Sequence, residues 1–214
     1  MFHFHTKNAN LIMSHLIRSL MQTTRRHSER RVLDGISPLH LLQVIVDVDS
    51  YKEFLPLCQD SKIHEHTRRK RRLNVNQEKT YLHQDENLRC FETYHADMAI
   101  GLNESMTEKY TSKVCVNYLE KQIDTESVDG SMKYELFDCI RSRWKLRDVD
   151  SKKDYNLASS MAVDVEFDVE IVVSNPLVVG VLDRVLEDVS VKQVRAFEAR
   201  CRVIPMKQWK NIME

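Results

Sequence analysis

The sequence predicts an α+β domain in which a curved antiparallel sheet grips one long C-terminal helix. Three observations carry that expectation. Residues 162–172, AVDVEFDVEIV, alternate five times in succession: Val163, Val165, Phe167, Val169 and Ile171 face one way, Asp164, Glu166, Asp168 and Glu170 the other. That is a strand with one dry and one wet face. Residues 174–203 change to a helical period, with Val178, Leu182, Val185, Leu186, Val189, Ala196 and Phe197 in one stripe and Asp183, Arg184, Glu187, Asp188 and Arg195 opposite. Finally, the order of elements is a strand, two short helices, a run of strands and then this helix. A sheet curled around such a helix leaves an apolar cleft between them.

Each element has its own signal. RRVLDGIS, residues 30–37, reads as a short first strand. Ser37 before Pro38 is an N-cap followed by proline at the first helical position, and Leu41, Leu42, Ile45 and Val46 give that helix its buried face. Asp49 or Ser50 is placed to cap a second short helix, SYKEFL, which Pro56 ends. Four further strands are expected: residues 94–102 with Ala96, Met98, Ile100 and Leu102 on one side, 108–123 with Tyr110, Val114, Val116 and Tyr118 in phase, 132–140, and 142–149 with Trp144. Asn175 and Pro176 open the long helix.

Composition narrows the function classes. The chain has 214 residues, 42% of them hydrophobic, enough for one domain with a real core. Lys+Arg and Asp+Glu balance at 32 each, which argues against a dedicated nucleic-acid binder. Four glycines and four prolines leave little room for phosphate-cradling loops or linkers. The five cysteines, Cys58, Cys90, Cys115, Cys139 and Cys201, are dispersed without a C-x-x-C pair, so free thiols in a reducing compartment are expected. No apolar run approaches a membrane span, and a soluble or peripheral protein is expected.

Residues 1–29 stand apart. They carry no acidic residue before Glu29, and Ile12, Leu16 and Leu20 adjoin Met13, Ile17 and Met21 in one helical stripe. A basic, acid-poor, amphipathic start has the composition of a mitochondrial presequence; an ordinary first helix is the other reading. Residues 30–204 are then the domain and 205–214 a tail.

The stretch DVDSYKEFLPLC, residues 47–58, clusters Tyr51, Phe54, Leu55 and Leu57 around Pro56, more apolar bulk than a surface connector needs. Its Asp47, Val48, Tyr51, Glu53, Phe54, Leu55, Pro56 and Cys58 resemble the signature of the mitochondrial coenzyme Q-binding proteins of the START/polyketide cyclase-like superfamily. MAIGLNESMTEKYTSKVCV, Trp144, VEFDVEI and VKQVRAFEAR follow in that family's order, so the resemblance spans residues 30–203. Leu57 departs from it, since the family has a large aromatic before the cysteine. A longer, strongly charged segment also stands at 67–92, where the family has a short hairpin. The resemblance implies a START-like helix-grip fold. It also implies a non-catalytic lipid chaperone for coenzyme Q (ubiquinone) on the matrix side of the mitochondrial inner membrane, supporting respiration and quinone synthesis. A cyclase/dehydrase-type enzyme and a ribosome- or RNA-associated module are the alternatives on this fold.

The residues favour binding over catalysis. The acids of the alternating strand point away from its dry face, and no Gly-x-Ser-x-Gly or Cys–His arrangement appears, so no catalytic residue and no catalytic cofactor are assigned. His64 and His66 form an H-x-H without a second pair at ligand spacing, so no metal site is assigned. A polyprenyl quinone needs apolar walls for its tail and donors for its head. Tyr51, Phe54, Leu55 and Pro56 are assigned to the cavity from the short-helix cluster, and Trp144, Val165 and Phe167 from the strands. Leu182, Val185, Leu186 and Val189 are assigned from the helix, together with Gln193, a stripe amide for which a quinone carbonyl or a backbone group is the expected partner. The run Arg68, Arg69, Lys70, Arg71 and Arg72 is expected in a solvated loop that touches anionic lipid headgroups; lacking interleaved aromatics, it is not assigned to nucleic acid.

Overall fold

The computed structural model describes residues 22–71, 91–101, 107–133, 136–149 and 161–206. Seven strands, β1 (Thr23–Asp34), β2 (Cys58–Lys70), β3 (Glu92–Gly101), β4 (Thr107–Asn117), β5 (Gln122–Ser127), β6 (Cys139–Asp148) and β7 (Ala162–Val173), form one sheet in the order β1-β7-β6-β5-β4-β3-β2. Every pairing is antiparallel. Between β1 and β2 lie α1 (Pro38–Val46), a 3-10 turn at Val48–Ser50 and α2 (Tyr51–Phe54). The chain returns across the sheet as α3 (Pro176–Val203). This is the expected α+β helix-grip architecture.

The caps act as their chemistry requires. The Ser37 hydroxyl accepts from the His40 amide at 3.2 Å, and the Asn175 side chain accepts from the Leu177 amide at 3.0 Å, each just ahead of a proline. Asp49 does not cap the second helix. Its carboxylate accepts from the Ile63 amide at 2.6 Å and ties the turn to β2, while Ser50 donates back to the Asp47 carbonyl.

Four sequence expectations on extent are corrected. β1 is twelve residues long and pairs with β7 throughout, from Thr23 with Val173 to Asp34 with Ala162. Residues 23–29, assigned to a leader, therefore belong to the sheet; the remainder of that assignment, residues 1–21, lies outside the described residues. Residues 108–123 are a hairpin and not one strand: the chain turns at 118–121, with Lys121 at φ +50. The two strands expected at 132–140 and 142–149 are the single β6, because pairing with β7 begins only at Cys139. The basic run begins inside β2, which continues to Lys70. Free thiols are found at Cys58, Cys139 and Cys201, but Cys115 on β4 is disulfide-bonded.

The core divides in two along α3. The larger cluster joins α1 (Leu41, Leu42, Ile45) to Trp144, Val165 and Phe167 of the sheet and to Val194, Phe197 and Cys201 near the end of α3. The smaller cluster holds Ile140, Ile171, Val173 and Leu182, near the start of α3. Between them the helix stripe meets the sheet without filling the space.

Candidate functional site

The gap between the two clusters is a cavity of about 170 Å³. The register explains why it is there. In the row across the sheet through Phe167, Trp144, Ile123 and Val116, every inward side chain is large. The next row reads Val169, Ser142, Thr125 and Val114, and the one beyond it Ile171, Ile140, Ser127 and Ser112. Small hydroxyl side chains in the middle of the inner face leave room that a Leu or Ile there would occupy. Opposite them, α3 presents Leu186, Val189, Ser190 and Gln193.

Eight of the assigned residues line this cavity: Tyr51, Leu55, Pro56, Trp144, Phe167, Leu186, Val189 and Gln193. Four do not. Phe54 packs edge-on against Tyr51 and Phe197, with ring centroids 5.9 and 5.3 Å apart, and lies under the Arg200 guanidinium. Val165 is wholly buried in the larger cluster, Leu182 belongs to the smaller one, and Val185, one helical position off the stripe, is half-buried away from the cavity. The cluster around Pro56 thus divides: Tyr51, Leu55 and Pro56 face the cavity, and Phe54, half-buried, packs against the larger core cluster. Sequence reasoning missed Cys58, Tyr110, Ser112, Thr125 and Ser142. Tyr110 was in phase with buried neighbours, but only strand register shows which inward positions face the void.

The polar groups of the lining are mostly spent on each other. The Tyr51 hydroxyl donates to the Ile45 carbonyl, and burial pushes its phenol well above the ordinary range. Thr125 and Ser142 share a 2.8 Å hydrogen bond, and Ser190 donates to the Leu186 carbonyl at 2.7 Å. Burial pushes the Cys58 thiol up to about 11, so it stays protonated at neutral pH. Among the described residues, no lining side chain is a carboxylate, an imidazole, a lysine or an arginine. The cavity offers burial and neutral hydrogen bonds, without a group poised to exchange a proton near pH 7. Its volume resembles that of cavities that hold one benzene-sized ring, so it is too small for the polyprenyl tail that was expected to fill it.

The basic run splits. Arg68 turns inward: it pairs with Glu65 at 2.7 Å and with Glu92, and lies 4.6 Å over the Tyr94 ring. These carboxylates hold its guanidinium above the ordinary arginine range. Glu92 is only 3% exposed and also accepts from the Tyr118 hydroxyl, with Lys70 at 3.8 Å. Only Arg69 and Arg71 face the charged outer groove of the sheet, beside Lys113; Arg72 lies outside the described residues. His64 and His66 stack at 5.6 Å, and His64 contacts Asp97 at 2.9 Å. The described residues hold no cluster of three or more metal-ligating side chains.

The comparisons with known proteins agree with this architecture. The chain is similar in structure to the Zhui aromatase/cyclase of Streptomyces sp. R1128, with a TM-score of 0.58 and 11% identity over 84% of this chain and 94% of that one. It is also similar to norcoclaurine synthase of Thalictrum flavum, at 0.52 and 10% over 90% and 94%, and to a protein of Thermus thermophilus, at 0.53 and 10% over 83% and 97%. At these identities the likeness is one of fold. No curated protein matches the sequence. Residues 35–198 match the family model described as polyketide cyclase/dehydrase and lipid transport. With the match spanning most of the sheet and nearly all of α3, the chain belongs to the polyketide cyclase/dehydrase and lipid transport family.

Proposed function

We propose that the protein is a non-catalytic lipid chaperone that holds coenzyme Q by its ring in the cavity under α3. One observation carries this reading: a ring-sized cavity whose walls are apolar and whose polar groups are neutral. Walls such as Trp144, Phe167 and Ile171 suit the faces of a quinone ring. Burying about 150 Å² of apolar ligand surface there contributes roughly 4 kcal/mol. In this reading the tail stays outside the cavity, in lipid, and Arg69 and Arg71 on the outer face meet anionic headgroups at the matrix side of the mitochondrial inner membrane. A targeting leader belongs to the same reading and ends before Thr23, since trimming into β1 would strip its pairing with β7.

The test is the cargo. Full-length protein purified from a ubiquinone-making host should carry ubiquinone detectable by mass spectrometry, and Leu186→Lys should abolish it while circular dichroism stays native. Protein that is empty as purified and takes up no added quinone would rule the reading out. Turnover of an aromatic polyketide analogue by wild-type protein would favour the cyclase alternative instead.

A further inference from the structure

We propose that Tyr110 and Gln193 form a two-donor seat that selects a ring bearing two carbonyl oxygens over an equally apolar ring without them. The inference rests on the carrier reading and deepens it by naming the head-group chemistry the cavity recognises.

The polar lining, taken group by group, leaves these two over. Tyr51, Thr125, Ser142 and Ser190 are hydrogen-bonded within the protein as described above. Ser112 reaches the Glu126 carbonyl at 3.5 Å, and Cys58 the Asp60 carbonyl at 3.5 Å. The Tyr110 hydroxyl and the Gln193 amide have no hydrogen-bond partner among the described residues, yet both line the cavity. Neither donor is sealed off from the cavity space, so a ligand there that carries two acceptors can pair both. They come from facing walls: Tyr110 from β4, where it pairs with Met98 of β3, and Gln193 from α3. Donors on opposite walls of a ring-sized space suit acceptors on opposite edges of one ring, the arrangement of a 1,4-dicarbonyl. Burial holds the Tyr110 phenol above its ordinary range, so it remains a neutral O–H donor at physiological pH. A neutral donor and an amide bind a carbonyl without protonating it, which fits holding and not converting.

The probes are a 1,4-benzoquinone with a decyl tail and decylbenzene, each titrated into the full chain by calorimetry. Tyr110→Phe and Gln193→Met keep shape and remove one donor each. Each should weaken the quinone about tenfold and leave decylbenzene within about twofold, since only the quinone can accept. The infrared carbonyl bands of bound quinone should move toward their free positions, one band per variant. Equal losses for both probes would assign the two residues a packing role and overturn the seat. So would unchanged quinone affinity and unchanged bands in both variants. Wild-type protein that binds decylbenzene as tightly as the quinone overturns the seat and leaves an apolar carrier standing. Protein that brings no ubiquinone from its host and takes up none when it is added, but shows the variant-dependent loss for the decyl quinone, supports the seat and removes coenzyme Q as its occupant.

Discussion

Replacing Arg68 should unfold this domain far more readily than replacing its basic neighbours, although all lie in one run. Arg68→Met keeps the aliphatic stem and deletes the guanidinium. Glu92, 3% exposed, is then left with the Tyr118 hydroxyl and an exposed ammonium, that of Lys70, at 3.8 Å. Breaking a buried pair by removing one partner costs about 3–5 kcal/mol, and the surviving contacts place this case near the lower end, ~3 kcal/mol. For a chain of this length that is a melting-temperature loss of roughly 6–12 °C. Arg69 and Arg71 make no contact to an acid among the described residues, so Arg69→Gln with Arg71→Gln should move stability by less than about 0.5 kcal/mol while weakening binding to anionic vesicles at low salt. The double change Arg68→Met with Glu92→Gln removes the stranded charge and should recover at least half of the loss. The assay is urea unfolding followed by tryptophan fluorescence, with vesicle co-sedimentation for the outer pair. An Arg68→Met protein within about 1 kcal/mol of wild type, or a double variant as unstable as the sum of its parts, would refute the reasoning.

Two further outcomes are expected. On the outer face, the guanidiniums of Arg141 and Arg26 hold Glu170, and that of Arg30 holds Asp164, below the usual carboxylate range. A depressed folded pKa contributes stability above the unfolded value, about 4, and loses it as pH falls further, so melting temperature should be flat from pH 7 to 5 and drop below about 4; a flat profile to pH 3 would contradict this. Ser112→Ile fills the cavity from the sheet side at the cost of one weak hydrogen bond, and should raise stability by about 1–2 kcal/mol while abolishing ligand uptake in the same calorimetric titration; a variant that still binds would place the ligand elsewhere.

Faces were legible in the sequence and depth was not. The alternation of 163–171 and the stripe of α3 are local periodicities, fixed by backbone geometry, so they survive into the fold unchanged. The turn at 118–121 escaped because Tyr118 continues the phase of Val114 and Val116; there Asn117, whose side chain accepts from the amides of Leu119 and Glu120, ends the strand in spite of the pattern. The cavity was half visible. Leu186, Val189 and Gln193 follow from the helix stripe, but Phe54 and Val165 look no different in sequence from Leu55 and Phe167. What separates them is register across six strand pairings and the size of Ser112, Thr125 and Ser142, which no window of one segment contains. Arg68 was misread for a related reason. A run of cations reads as a solvated loop until its partner, Glu92, is brought alongside by β3.

The helix that closes the grip is anchored by a packed cluster at each end and bridges a void between them. At about 24 cal/mol per Å³ of cavity, filling a space of about 170 Å³ with apolar atoms is worth up to ~4 kcal/mol to the folded state. A ligand that fills it returns part of that amount to the folded state by mass action. In the proposed carrier reading, cargo and folding are one equilibrium, and the amount of intact protein in a cell should track the supply of the ligand. A cell starved of the ligand should degrade the empty carrier faster than the loaded one, with no regulator other than the hole beneath the helix.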